Sequence, residues 1–500
     1  MRETPLPLVP LPSRESQSPD SEYDRHVVPE ERRLLVALIV SIAFLIEQLD
    51  STIIISAIPQ IATSFDVLPI RINLAITSYL LSLAIFMPIS GWLADRYGAR
   101  SIFCTAIAIF TVSSLLCGFS DDLWTLLIAR VLQGIGGAMM TPVGRLILIR
   151  SYPRHQLIMA MTYMTIPGVI GPTLGPLIGG LITTYSSWQW IFFVNVPIGL
   201  LGLCLALRFI PDIRGEQVRV FDVRGFLLIA MGLALLQSGI ELLSHSEISH
   251  WVTVSLLAAA TFALGLYRRH ARRVMTPALD ISLVAIPTFR AGIIAGGISR
   301  IGINGVPFLL PLLFQLGFHM SPLLSGSLTS ACCVGIVLAR PASGYLLRTF
   351  GFGKVLAANG LLGAVCVSGF AWMQGDFPIV VIIGYVLIFS IIRGLQFTTI
   401  NTLNYAEVPA ERLSQATSLG GVAQQLAMGL GVSISASLLG LIAGPGEAVT
   451  VSDFRFVFLI LGVITLCSLP GFLRLPASAG ARVSGFRPLS DVAARTHIVP

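Results

Sequence analysis

The sequence predicts an all-α polytopic membrane protein built from two related halves, and three observations carry that expectation. Apolar runs of about 20 residues recur along nearly the whole chain, enough to cross a hydrocarbon core of about 30 Å as helices. Hydrophobic residues make up 54% of the 500 residues and charged residues only 11%. A soluble domain is roughly 25% charged, so polar surface is too scarce here to coat a globule. Finally, one short basic loop occurs twice, about 250 residues apart. The first copy reads Gly91-Trp-Leu-Ala-Asp95-Arg96-Tyr97-Gly98-Ala-Arg100. The second reads Gly344-Tyr-Leu-Leu-Arg348-Thr-Phe350-Gly351-Phe-Gly353-Lys354; it keeps the outer glycines and the aromatic but lacks the acid. Parallel repeats about an axis along the membrane normal leave such a trace.

Taken in order, the polar stretch from Met1 to about Glu31 reads as a disordered cytosolic tail. No short apolar core follows an early basic region, so it is not a signal peptide. Spans are expected near 34–58, 73–94, 101–119, 123–145, 157–183 and 189–210, then near 224–243 and 250–267. A second group of six follows near 288–316, 322–346, 354–373, 377–400, 413–443 and 452–474. Fourteen spans divide the chain into a tail (1–33), a six-helix bundle (34–210), two additional helices with basic linkers (211–287), a second six-helix bundle (288–474) and a C-terminal tail (475–500).

The loops alternate in charge. Arg96 and Arg100 share one, Arg150 and Arg154 another, and Arg208, Arg214, Arg219 and Arg224 a third. Arg268, Arg269, Arg272 and Arg273 follow, then Arg348 with Lys354, then Arg412. The intervening loops, such as Ser120-Asp121-Asp122 and Gly375-Asp376, carry no Lys or Arg; Arg71 and Arg455 are the exceptions. By the positive-inside rule the basic loops are cytoplasmic and both termini lie inside. The net charge of +7 therefore reports topology, and no basic stripe with interleaved aromatics points to nucleic acid. The seven cysteines all fall in or at the ends of apolar runs, with no CxxC pair and no Cys/His spacing suited to a metal.

Charge inside the membrane is costly, so function is its default reading. The first span carries Glu47 and Asp50, three apart and on one face. The fourth, running the opposite way, carries Arg130 at matching depth. A carboxylate held near an arginine, where hydration changes, is suited to binding and releasing a proton, with Asp50 the expected carrier and Glu47 the second choice; a static ion pair is the alternative. Arg130, Gln133, Gly134 and Gly137 recur at helical spacing, which suits a wet cavity beside a close helix contact. In the fifth span Gly171-Pro172, Gly175-Pro176 and Gly179-Gly180 form a small-residue face for close approach. In the second half Arg300 and Asn304 share a face, as do Arg393 and Gln396, and these four are the expected lining of a substrate cavity. Arg340 lies near a span end and snorkels. No Asp or Glu lies deep in the apolar runs of that half. The single lysine, Lys354, excludes a GxxxxGK[ST] phosphate loop, and neither a GxSxG elbow nor an HExxH helix is present. No catalytic residue, metal or cofactor is expected; an ion gradient remains as the energy source.

These motifs resemble those of the major facilitator superfamily. Gly91 to Arg100 is similar to its loop 2–3 signature, Arg130-Val-Leu-Gln133-Gly134-Ile-Gly136-Gly137 to its helix 4 motif, and Gly168 to Gly180 to its helix 5 antiporter motif. Leu49-Asp50-Ser-Thr52-Ile53 through Pro59 and Trp188-Gln-Trp190 through Asn195-Val-Pro197 resemble signatures of the fourteen-span drug:proton antiporters of the EmrB/QacA type. Pro142-Val-Gly144-Arg145 and Asn401-Thr-Leu403-Asn404 resemble the MdtD-like branch. The resemblance implies a major facilitator fold with two extra central helices. It also implies proton-coupled export of amphipathic small molecules by alternating access, from the inner membrane and as a monomer. Asp95, with Gly91, Arg96, Gly98 and Arg100 around it, would hold the cytoplasmic side closed against a helix N-terminus near Leu413. The missing acid in the second half, with Arg300 and Arg393 present, keeps export of organic anions or metal chelates open. A membrane-embedded enzyme or sensor is the third reading, and no nucleophile–base or metal-ligand set supports it.

Overall fold

Helix-forming apolar segments here alternate with short polar caps and glycine stops, and the computed structural model resolves them as a bundle of long rods. It describes residues 28–153, 156–212, 220–244, 249–409, 412–444, 449–476 and 478–484. Most of both tails, with Arg154, Arg214, Arg219, His245 and Glu247, lies outside the described residues. The first bundle comprises α1 (Glu30–Ser64), α2 (Pro69–Tyr97), α3 (Ala99–Gly118), α4 (Leu123–Ser151), α5 (Leu157–Tyr185) and α6 (Trp190–Phe209). Two central helices follow, α7 (Val223–Glu241) and α8 (His250–Ala271), and then α9 (Pro287–Gly317). The rod from Pro322 to Gly369 breaks at Gly351 into α10 (322–350) and α11 (352–369). The last three are α12 (Ile379–Tyr405), α13 (Leu413–Ala443) and α14 (Val451–Leu473). Thirteen stretches of described residues are long and apolar enough to cross a membrane, and α5, with 29 residues and no charge, makes the fourteenth.

The ends follow local chemistry. Asp122 caps α4 by accepting from the Thr125 amide at 2.9 Å, Asp222 caps α7 at Gly225, and Ser321 caps α10 at Leu324. Glu30 and Glu31 occupy the first turn of α1, where carboxylates favour the helix N-terminus, and the helix starts four residues ahead of the expected 34. Gly98 ends α2 at φ 93°, and Gly351 breaks the α10–α11 rod at φ 76°. Both combine positive φ with extended ψ, a region essentially confined to glycine and costing an L side chain on the order of 1–3 kcal/mol. These are corresponding glycines of the duplicated loop, so the repeat seen in sequence recurs as the same backbone turn.

Close helix contacts use the small residues. A side chain at Gly171, Gly175 or Gly179 would strike Gln48 Cβ, Thr52 Oγ1 or the Ile53 carbonyl of α1. The other face of α5 meets the second half: a side chain on Gly180 would strike the Pro322 carbonyl, and one on Gly326 the Pro176 carbonyl. On that same side α1 opens into a 3-10 turn, Ile54–Ala57, and Gln315 donates to the Ser56 carbonyl at 3.1 Å. The two halves are therefore tied on the face opposite the basic loops. A second seam joins α2 to α13, where Gly421 faces Met87 and Gly429 faces Leu80. α7 and α8 pack together through Gly232 against Leu264 and Gly239 against Leu257, and cover this seam from outside.

Candidate functional site

The first span brings Asp50 into the middle of the first bundle with no exposed surface. Its Oδ2 accepts from Arg130 Nη1 of α4 at 2.5 Å. Its Oδ1 accepts from Gln133 Nε2 and from Asn195 Nδ2 of α6, both at 2.9 Å. Arg130 is in turn fixed by donating Nε to the Ala75 carbonyl of α2 at 3.1 Å and Nη1 to Gln133 Oε1 at 2.7 Å. Its guanidinium lies over the Tyr79 ring at 4.3 Å and the Phe192 ring at 5.8 Å. The charges are thus paired, hydrogen-bonded and enclosed, the arrangement that makes burial tolerable. Gly134 completes it, because a side chain there would strike Ser82 and the Tyr79 carbonyl. On the face of α4 whose spacing suited a wet cavity, Arg130 and Gln133 are both fully buried, and Arg130 lies against α2.

Glu47 sits one turn back on α1, 4% exposed, and differs from Asp50 in its partners. Its Oε2 accepts from Thr141 Oγ1 of α4 at 2.5 Å, the one hydrogen bond to its side chain among the described residues. No cation pairs with it among those residues. The two acids therefore share a helix face and divide in environment.

In the second half the expected residues pair across α9 and α12. Arg300, 4% exposed, donates Nη2 to Asn401 Oδ1 at 2.7 Å and lies over the Phe397 ring at 5.3 Å. Arg393 donates Nη2 to Asn304 Oδ1 at 3.4 Å, so two Arg–Asn ties run in opposite senses between the same helices. Arg300 Nε is buried without a partner, and no acid pairs with this arginine among the described residues. Gln396 behaves differently from its helix neighbour Arg393. It is 2% exposed and bonded to Ser299 and Asn359, a packing position between α9, α11 and α12.

The pattern of the Major Facilitator Superfamily matches residues 40–432. The chain belongs to that superfamily. Among its relatives, "Putative multidrug resistance protein MdtD" of Pectobacterium atrosepticum is 38% identical over 445 residues, covering 88% of this chain and 95% of that one. The protein of the same name from Escherichia coli O157:H7 is 36% identical over 452 residues, covering 89% and 93%. Among solved structures, a D-xylose-proton symporter superposes with a TM-score of 0.65 at 15% identity over 90% of this chain and 99% of that one. A bacterial homolog of the human lysosomal transporter Spinster, inward-facing and unoccupied, gives 0.62 at 15% over 92% and 100%. These two likenesses concern the fold alone. Membership of the superfamily makes this a multi-pass transporter rather than an enzyme, taking a small molecule as its substrate.

The superfamily's loop 2–3 region is built from side chains on three helices. Asp95 Oδ1 accepts from Arg150 Nη2 of α4 at 3.0 Å, Arg100 Nη2 donates to the Leu207 carbonyl of α6, and Arg96 lies over the Trp92 ring at 5.2 Å. Gly91 has open space around it. Asp95 lies eight residues beyond Met87 and Leu413 eight before Gly421, so the antiparallel α2–α13 register sets the two level. Arg412, the N-cap residue just before α13, donates Nη2 to Asp280 Oδ2 at 2.6 Å.

Sequence reading missed the residues that supply hydrogen bonds rather than charge. Asn195 and Asn401 both stood inside recognised motifs without a role. Thr141 had no local signal, since a hydroxyl in an apolar helix usually bonds its own backbone, and Tyr79 serves through its ring rather than its hydroxyl.

Proposed function

We propose that this chain is a proton-coupled antiporter exporting amphipathic small molecules by alternating access, with the basic loops and both termini cytoplasmic, in the inner membrane and as a monomer. The observation that carries the reading is the division between the two acids of α1. Asp50 accepts from three donors, one of them the Arg130 guanidinium, which suits a fixed structural anchor. Glu47 has one neutral donor, which leaves it free to exchange a proton as its surroundings hydrate. In this cycle Arg130 fixes Asp50 to α4, Glu47 takes and releases the proton, and α5 rocks against α10 on its glycine face. Asp95 and Arg150 close the cytoplasmic side level with the start of α13. The names of the MdtD relatives support a drug-like substrate. Purified protein in proteoliposomes should show proton flux stimulated by amphipathic substrates; a set of such compounds that moves no protons overturns the reading.

A second reading, export of organic anions, is favoured by Arg300. A guanidinium at a helix centre costs about 2.5–3.5 kcal/mol on insertion scales, and its partners here are an amide and a ring face. A carboxylate substrate would supply the missing charge.

A further inference from the structure

Away from the Glu47–Asp50 pair, a third buried carboxylate sits where three parts of the molecule meet. Glu241 ends α7, one of the two central helices, and is 5% exposed. Its Oε1 accepts from Asn73 Nδ2 of α2, in the first half, at 2.6 Å. Its Oε2 accepts from Ser433 Oγ of α13, in the second half, at 2.8 Å. Ser433 Oγ itself accepts from Gln237 Nε2, one turn back on α7, so its hydroxyl proton is committed to the glutamate. Ser437 Oγ adds a bond to the Ile240 carbonyl at 3.0 Å, seating this end of α7 on α13. Asn73 and Ser433 both donate to the carboxylate, the pattern that suits its ionised form.

We propose that Glu241 is a second proton-binding site, which binds a proton when the two halves separate along the α2–α13 seam and releases it when they close. The argument is one of linkage. Asn73 and Ser433 belong to different halves, so no relative motion of α2 and α13 keeps both donors on one rigid carboxylate. Withdrawing either donor removes a bond that favours the charged form, and proton affinity rises. The cluster also has a place for the proton. Asn73 is 1% exposed and its Oδ1 is buried without a partner, so turning the amide over presents an acceptor to a protonated Glu241. Competing ionisable groups are sparse on the packed helices. Residues 413–443 of α13 contain none, α2 has only Tyr79 between Asn73 and Asp95, and α7 has only Arg224 at its far end. Arg71 in the first turn of α2 and His250 at the start of α8 lie on the same face of the bundle and are exposed. The proposal gives the two extra helices a task, sensing the seam they cover, and it does not depend on the substrate.

The test is infrared difference titration of the full-length protein in nanodiscs, reading the protonated-carboxyl stretch as pH is lowered. Wild type should show a carboxyl component that is absent from Glu241→Gln. Ser433→Ala, which withdraws one donor, should raise its midpoint by about one pH unit, the size expected from one hydrogen bond to a charged group. A Glu241→Gln titration superimposable on wild type overturns the proposal. Should that variant fail to fold, Ser433→Ala decides alone, and an unmoved midpoint overturns it. Glu47→Gln serves as the control that separates this site from the Glu47–Asp50 pair.

Discussion

Asp50 and Arg130 meet 2.5 Å apart, from two antiparallel helices, with neither side chain exposed. Removing one partner of such a pair strands a charge, so Arg130→Ala should cost about 3–5 kcal/mol of stability. Arg130→Lys should cost less, since it keeps the charge and loses the planar contact with Tyr79 and the bond to Ala75. Thermal unfolding of monodisperse protein in detergent checks this. A melting curve for Arg130→Ala that overlays wild type would show the pair to be no structural tie.

The division between the acids gives a transport prediction. Glu47→Gln should abolish uphill, proton-driven transport while substrate binding at equilibrium remains measurable. Asp50→Asn should weaken both, because it disturbs the anchor. If Glu47→Gln pumps uphill and Asp50→Asn binds normally without pumping, the proton belongs to Asp50.

Asp95 and Arg150 share one bond at 3.0 Å, so either substitution should release it. In Asp95→Asn and Arg150→Gln, cysteine probes reached from the basic side should react several-fold faster than in wild type. Arg348→Gln, in the copy without an acid, should have a smaller effect. Equal labelling of wild type and Asp95→Asn would remove Asp95 from the gate.

Arg300 separates the two substrate classes. Arg300→Ala should weaken binding of carboxylate-bearing ligands more than of cationic dyes, by about tenfold for one lost charge-assisted hydrogen bond. Tryptophan-quenching titrations with both ligand types provide the comparison. Equal losses for both would make Arg300 structural, and the organic-anion reading would fall.

The Asp280–Arg412 bond at the start of α13 carries a pH dependence. Burial works against the charged form of Asp280, but hydrogen bonds from Ser282 and Arg412 and the guanidinium charge outweigh it, holding the carboxyl below its ordinary value of 3.8. A lowered folded value contributes stability that is present above the ordinary value and lost as pH falls through the folded one. Asp280→Asn should therefore reduce hydrogen-exchange protection at the start of α13 at pH 7. The difference from wild type should hold down to about pH 4 and close at lower pH. A difference that already closes between pH 7 and pH 5 would rule out the carboxylate as its source.

The sequence by itself determined the number of spans, their order, the duplicated loop and the presence of an acid–arginine set at one depth. Those follow from hydropathy, from the cost of charge in a bilayer and from the backbone freedom of glycine, all of which act locally. It also placed Glu47, Asp50 and Arg130 together, because residues three apart on one helix and a matched depth on another need no tertiary information. Glu241 was legible in principle as a lone acid inside an expected span, 224–243, and the intramembrane-charge rule would have found it. Only the tertiary structure decided which acid is saturated with donors, that Gln396 packs while Arg393 pairs with Asn304, and that Glu241 bridges α2 to α13. These depend on which neutral amides and hydroxyls arrive from helices distant in sequence. Hydrogen bonds of that kind leave no periodicity, because a single Asn or Ser fits an apolar helix wherever the fold happens to bring it a partner.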